Sequence, residues 1–336
     1  MARIAFGLAT SHGPMLSIPP EFWADRVSAD RENPRHFYQG KTYTFDEMVG
    51  LHRGERLAEQ ITPEVCEQRH ARCQKAIRQL ADFFEEQRPD VAVVVGNDQM
   101  EVFTSDHVPA FAVFWGEYVE GHPRTPEFLA KLNRGIARAE ADRTPPVYTQ
   151  YPCLPDMGRH VIESVIADGF DVAQMRRLAV GEIGVNSAPH AYGFVYRRVM
   201  RDKVVPHVPV FVNTFYPPNQ PSAARCFEFG RALGRAVSSW PSDAKVALIA
   251  SGGLTHFVID ETLDAQILEA IRRGEVSAFE RIPESMFQSG TSEIKNWITV
   301  AGAMVEAGLT MKLLDYVPCY RSEAGTGSAM GFAQWC

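Results

Sequence analysis

Apolar residues along the chain follow two rhythms. Short continuous runs at Ile4–Ala9, Val91–Gly96, Phe111–Phe114, Val208–Asn213 and Val246–Ser251 predict strands of a largely buried sheet. Between the first two, Val65, Ala71, Ala76, Ile77, Leu80 and Phe83 mark one face of a long amphipathic helix over 62–88, opened by the start signal Thr62-Pro63-Glu64. Similar patterns predict helices at 125–140, 156–168, 222–239, 262–273 and 293–307. Strands alternating with helices imply an α/β fold, a layered mixed sheet flanked by helices, with ligands held beyond the carboxyl ends of strands.

Residues 17–60 break this rhythm. They are rich in charge and aromatics (Trp23, Arg26, Asp30-Arg31, Arg35-His36-Phe37-Tyr38) and read as an insertion or lid within a single domain spanning 1–336. Composition changes the picture little: 45 % hydrophobic and 22 % charged residues are ordinary globular usage. The formal charge of −7 argues against a nucleic-acid partner and for a small molecule. An anionic one remains compatible, because a local Arg or Lys offsets the global sign. Cysteines 66, 73, 153, 226, 319 and 336 form no CxxC pair, which fits a reducing cytoplasm. The apolar run at the N-terminus is too short for a secretory signal, and no stretch approaches a membrane span.

Candidate chemistry sits on four polar loops at strand ends. Thr10-Ser11-His12-Gly13-Pro14 can present an imidazole to a cavity, or His12 can cap a neighbouring backbone. Asn97-Asp98-Gln99-Met100-Glu101 places polar groups where burial without partners is expensive, though Asn and Asp also form turns. Asn186–Gly193 carries His190, which reads as either a catalyst or a satisfied structural group. Ser251-Gly252-Gly253-Leu254-Thr255-His256 permits close backbone approach. Downstream, Asp260-Glu261 and Asp264 fit a metal carboxylate or, on sequence grounds better, an ordinary helix N-terminus. The loop Tyr320–Gly327 lacks the lysine and glycine order of a nucleotide site.

Read in order, these loops resemble the LigB-type (class III) extradiol ring-cleavage dioxygenases, and in particular the catalytic subunit that cleaves protocatechuate. The resemblance rests on Met1–Pro14, on Val212-Asn213 and Tyr216-Pro217-Pro218 followed by Arg225-Cys226-Phe227, on Ser251–His256, and on Ser289-Gly-Thr-Ser-Glu293 with Trp297. It implies a ferrous ion on two His and one carboxylate, adjacent open positions for a catecholate and O2, and a second His that moves protons. Carried over by position, His12 is an iron ligand, His190 the acid–base catalyst and His160 a contact to substrate hydroxyls. Arg321 or the loop Gly325, Thr326 and Gly327 would meet a substrate carboxylate.

Two positions depart from the family pattern. Relatives read Asn-Asp-His where this chain reads Asn97-Asp98-Gln99, and Gln offers only a neutral amide oxygen. The iron carboxylate aligns with Glu261, or with Thr262 one residue on. The leading expectation is an Fe(II) dioxygenase opening a catechol, gallate-like or hydroxypyridine ring, with the metal on His12, Gln99 and Glu261. The alternatives are a LigB-fold enzyme with altered or no metal performing a hydrolytic or tautomerising step, with Glu101, His52 or His107 as other possible ligands, and a non-catalytic binding module. A homo-oligomer is expected, with 17–60 in the role of a helper subunit.

Overall fold

The computed structural model describes residues 1–132, 134–184 and 186–336. Nine strands form one mixed sheet: β1 (Arg3–Thr10), β2 (Val91–Gly96), β3 (Phe111–Phe114), β4 (Ala173–Met175), β5 (His207–Val212), β6 (Lys245–Ser251), β7 (His256–Val258), β8 (Met311–Tyr320) and β9 (Thr326–Trp335). Their order is β7-β9-β1-β6-β2-β5-β3-β4, with β8 also paired to β9. The four central strands β1, β6, β2 and β5 run parallel, so their carboxyl ends open at one edge. Strand β9 runs antiparallel to β1 and starts at that same edge.

The principal helices are α1 (Pro63–Gln87), α2 (Pro155–Ala167), α3 (His190–Phe194), α4 (Ala223–Ser239), α5 (Glu261–Arg273) and α6 (Ile294–Glu306). Alternate residues of the central strands face opposite layers. Val93, Val95, Val210 and Leu248 join the core under α2, α4 and α6. Ala92, Val94, Phe211 and Ile249 join the one under α1 and α3. The fold class is the one expected from the sequence. Thr62 caps α1 as the start signal implied, its hydroxyl accepting from the Val65 amide at 3.4 Å.

The stretch expected as one helix over 125–140 instead forms two short ones, Pro126–Leu129 and Arg134–Ala139; residue 133 between them lies outside the described residues. The paired strands β8 and β9 were not anticipated. Thr326–Trp335 is buried along nearly its whole length and built of small and apolar residues, so it shows no alternation.

Helices α4 and α6 pack with almost no side chain between them. A Cβ at Gly230 would collide with the Thr299 carbonyl, and one at Gly302 with the Phe227 carbonyl. Glycine is needed here for close backbone approach. We expect Gly302→Val to lower stability by about 1–3 kcal/mol through forced separation of the helices, read as a shift in the denaturation midpoint. No helix among the described residues is long and apolar enough to cross a membrane.

Residues 17–60 build a short helical stretch (Pro20–Arg26, then Val27–Glu32), a small hairpin and the helix Phe45–Leu51. The segment is fastened to the domain. Asp30 accepts from Arg321 Nε at 2.6 Å, Arg321 Nη2 at 2.7 Å and the Thr326 hydroxyl at 2.7 Å. Phe45 and Met48 share a small buried cluster with Val258 and Ala324.

Candidate metal centre

The carboxyl ends of β1, β2 and β6 deliver side chains to one buried point. His12 follows β1, and its Nδ1 lies 2.9 Å from the Ser251 hydroxyl at the end of β6. That hydroxyl donates its proton to the Ala191 carbonyl at 2.6 Å. Ser251 can therefore only accept from His12, which fixes the proton on Nδ1 and leaves a lone pair on Nε2. His12 Nε2 faces Glu293 Oε2 at 3.1 Å. Burial depresses the proton affinity of His12, and Glu293 only partly offsets this, so the ring is neutral near pH 7.

Glu293 lies immediately before α6 and is 5 % exposed. Burial alone would raise its pKa, but His256 and His12 hold it well below the usual carboxylate range. Its Oε1 accepts from the Asn97 and Gln99 amides, each at 3.2 Å, and Oε2 from the Gly253 amide at 3.3 Å. The Tyr216 hydroxyl donates to Gln99 Oε1 at 3.2 Å. His256 Nε2 stands 3.6 Å from the same Oε2, with its Nδ1 donating to the Leu254 carbonyl at 2.8 Å. A Cβ at Gly253 or Gly290 would strike the His256 ring, so both glycines make room for it.

His190, the first residue of α3, closes the cluster from the other layer. Glu101 grips it twice, accepting from its backbone amide at 2.7 Å and from ring Nδ1 at 2.6 Å. The His190 and His12 rings meet edge to face at 4.7 Å. Burial lowers the proton affinity of His190, but Glu101 and then Glu293 more than reverse this, and the net shift is upward. Asp98 shapes the loop after β2 by accepting from the amides of Glu101, Val102 and Phe103 at 3.0–3.1 Å. Burial and the neighbouring Glu101 raise its pKa to about 7.

Ligand atoms of His12, His190 and Glu293 all lie within 4.8 Å of one another. Two lone-pair atoms facing each other at 3.1 Å repel unless a cation or proton lies between them. The same separation is an edge of a coordination polyhedron with bonds of about 2.1 Å at right angles. Imidazole, carboxylate and amide oxygen form a donor set suited to a first-row divalent metal. Each imidazole also has its Nδ1 anchored by a second group, the arrangement that orients metal-binding histidines.

The other residues singled out from the sequence lie elsewhere. Glu261 accepts from the Tyr320 hydroxyl at 2.8 Å, and the carboxylate in the cluster is Glu293 instead. Thr262 is the second residue of the same helix, α5. Asp260 caps that helix through the Leu263 amide at 2.9 Å, so the capping reading of this acidic stretch describes its structure. Asp264 is buried between Thr255 and the Tyr316 hydroxyl, and desolvation raises its pKa to about 7. The fold thus favours its neutral form. That contribution to stability is complete below about pH 4 and drains as pH rises through about 7. We expect Asp264→Asn to flatten this part of the melting temperature's pH dependence.

His160 on α2 bonds the Ala236 carbonyl and the Ser239 hydroxyl, both at 3.0 Å, near the end of α4. Because Ala2 is tied to Trp240 just beyond, this is the amino end of β1, opposite the cluster. Arg321 and Thr326 are spent on Asp30. Gly325 adopts φ +73 beside His52, and Gly327 pairs with Tyr320 and Phe257. Of the other possible ligands, His52 lies beside Glu55, its Nδ1 2.9 Å from the carboxylate, and the His107 amide closes a tight turn with Thr104. The sequence reading did not single out Glu293 as a candidate ligand, although the Ser289–Glu293 segment ahead of Trp297 carried part of the resemblance.

Residues 57–326 match the family model of the catalytic LigB subunit of aromatic ring-opening dioxygenase. The chain is 33 % identical over 127 residues to gallate dioxygenase of Pseudomonas putida, covering 34 % of each protein. It is 31 % identical over 168 residues to the 2,3-dihydroxyphenylpropionate/2,3-dihydroxicinnamic acid 1,2-dioxygenase of Rhodococcus globerulus, covering 50 % of this chain and 44 % of that one. The matched stretches span less than half the length of either relative. His12 precedes the family match, whereas Gln99, Glu101, His190, His256 and Glu293 lie within it.

Proposed function

We propose that this chain, which belongs to the LigB family of aromatic ring-opening dioxygenases, is an iron-dependent extradiol enzyme that opens a catechol-type ring next to its hydroxyls. The observation that carries this reading is the His12 Nε2–Glu293 Oε2 pair, two buried lone-pair donors at 3.1 Å. His12 and Glu293 would hold ferrous iron, with the Gln99 amide oxygen as third donor once its side chain turns over and donates to Tyr216. Bound there, the metal would supply adjacent positions for the catecholate and O2.

The protein's own groups supply the proton chemistry. Glu101 fixes a proton on His190 Nδ1, which leaves Nε2 as the atom that takes a substrate hydroxyl proton and returns it as the ring opens. Tyr192 and Phe194, both buried on α3, wall the cluster against bulk water. His160 and Arg321 take no part, because their hydrogen bonds are spent elsewhere. A reducing cytoplasm, which five buried free thiols fit, and a homo-oligomer complete the proposal.

Gln99 favours one competing reading, a family member with weak or no iron that performs a hydrolytic or tautomerising step. Anaerobic reconstitution separates the two. Stoichiometric iron, oxygen uptake with catechols and a yellow ring-opened product support the dioxygenase. Protein that takes up no iron overturns it.

A further inference from the structure

The ring-opening reading leaves the hydroxyls of two buried tyrosines beyond His190 without chemistry. Tyr192 and Tyr196 are both fully buried. Helix α3 continues into the single wide turn Val195–Val199, a π-type turn of the kind frequent at functional sites. Tyr192 stands at the site end: a Cβ at Gly96, the last residue of β2, would lie 3.2 Å from its ring. Its hydroxyl donates to the Val210 carbonyl at 2.7 Å. Tyr196 lies one turn further on and packs against Tyr151, with ring centroids 4.5 Å apart. Tyr151 belongs to the hairpin of Tyr118–Gly121 and Thr149–Pro152, and the exposed Tyr148 immediately precedes its second strand. Aromatic rings thus run from the site end of α3 toward the surface.

Tyr196 differs from its neighbours in facing a base. His207 Nδ1 donates to the Pro152 carbonyl at 2.7 Å. A carbonyl only accepts, so the proton stays on Nδ1 and Nε2 keeps its lone pair. That nitrogen accepts from the Tyr196 hydroxyl at 2.6 Å, with Cys153 Sγ 3.8 Å away. Burial lowers the His207 pKa to about 4 and holds the Tyr196 phenol well above its ordinary value. Neither group therefore titrates near pH 7, and the pair does no ordinary acid–base work. Its proton moves when the phenol is oxidised, because a phenol radical cation is a far stronger acid than imidazolium. Tyr192 faces a carbonyl, which takes no proton, and the Tyr151 hydroxyl has no partner among the described residues. Tyr316 and Tyr320 meet carboxylates, but on β8 rather than on the helix that carries His190.

We propose that Tyr196 is a redox-active residue, a one-electron donor to the His12–Glu293 centre, with His207 as the acceptor of its proton. One electron leaves the Tyr196 ring and reduces the oxidant, and the phenolic proton passes to His207 Nε2. The products are a neutral tyrosyl radical and an imidazolium. The oxidant is the one-electron species that iron and peroxide generate when no ring is bound to consume oxygen. Six residues separate Tyr196 from His190, about 9 Å at the helical rise, and Tyr192 lies between them. An oxidising equivalent is thereby drawn away from the metal ligands. The inference rests on the ring-opening reading for the origin of the oxidant, and on the Tyr196–His207 geometry for its destination.

Electron paramagnetic resonance tests it in two arms. In the first, iron-loaded protein without ring substrate is mixed with hydrogen peroxide and frozen. In the second, metal-free protein is oxidised by photogenerated ruthenium(III) tris-bipyridine. Wild-type protein should give a tyrosyl radical in both. Tyr196→Phe, which keeps the packed ring, should lose it in both. His207→Gln should lower its yield with Tyr196 still present, whereas Tyr316→Phe should leave it unchanged. A tyrosyl signal that persists in folded Tyr196→Phe, or a sulfur-centred radical in its place in wild-type protein, would overturn the proposal. So would a radical in the photochemical arm with none from iron-loaded protein and peroxide. Protein that takes up no iron counts against the ring-opening reading, while the photochemical arm still decides whether Tyr196 and His207 act as a redox pair.

Discussion

Glu293→Gln should strip the metal from the protein while Glu261→Gln leaves metal content and turnover where they are. The two carboxylates compete for one role, and their surroundings separate them. Glu293 is buried, faces His12 Nε2 at 3.1 Å and collects three amide donors. Glu261 sits on α5 and accepts from one phenol. Replacing Glu293 by a neutral amide removes the only anionic donor of the proposed centre and leaves the Asn97 and Gly253 amides facing a weaker acceptor. Iron affinity should fall by at least about 100-fold, the upper end of what losing even an outer partner does to a metal site. Elemental analysis after anaerobic reconstitution gives the answer, and metal retained at the wild-type ratio would remove Glu293 from the centre.

His190→Phe should leave iron content unchanged and reduce turnover by about 100- to 10,000-fold, the usual contribution of a positioned acid–base group. The ring is gripped by Glu101 at two points, and its net pKa shift is upward, the opposite of His12. A metal ligand must offer an unprotonated nitrogen, whereas a proton carrier works best when both of its states are accessible. Loss of iron in this variant would move His190 into the coordination shell, where its distance from Glu293 and His12 also allows it to sit. Because Glu101 raises the pKa of His190, Glu101→Gln should move the acid limb of the rate profile to lower pH.

Much of this architecture was legible in the chain. Val91–Gly96 is apolar at every position because both of its faces are covered, and the strand appears where that run lies. His12 and Gln99 were located correctly relative to strand ends, since a buried strand must release its first polar residue at an edge. Glu293 was harder to assign because Ser289–Glu293 lies far from His12 in sequence and only helix packing brings it back. Arg321 illustrates the opposite failure. A lone Arg in a glycine-bearing loop looks available to a ligand, but a carboxylate from residue 30 reaches it first. His160 was misjudged for a related reason: its position on a helix said nothing about which end of the sheet the helix would offer.

The glycine contact between α4 and α6 has a consequence for how the protein would fail. Glu293 begins α6, and the seating of that helix is set by Gly302 against Phe227 near its middle. A small lift there tilts the carboxylate away from His12 well before the domain unfolds. Random mutagenesis screened for lost activity should therefore yield a cluster of changes at this helix crossing, remote from any ligand. Such variants should remain soluble and cooperative in melting, yet need far more iron in the medium to work.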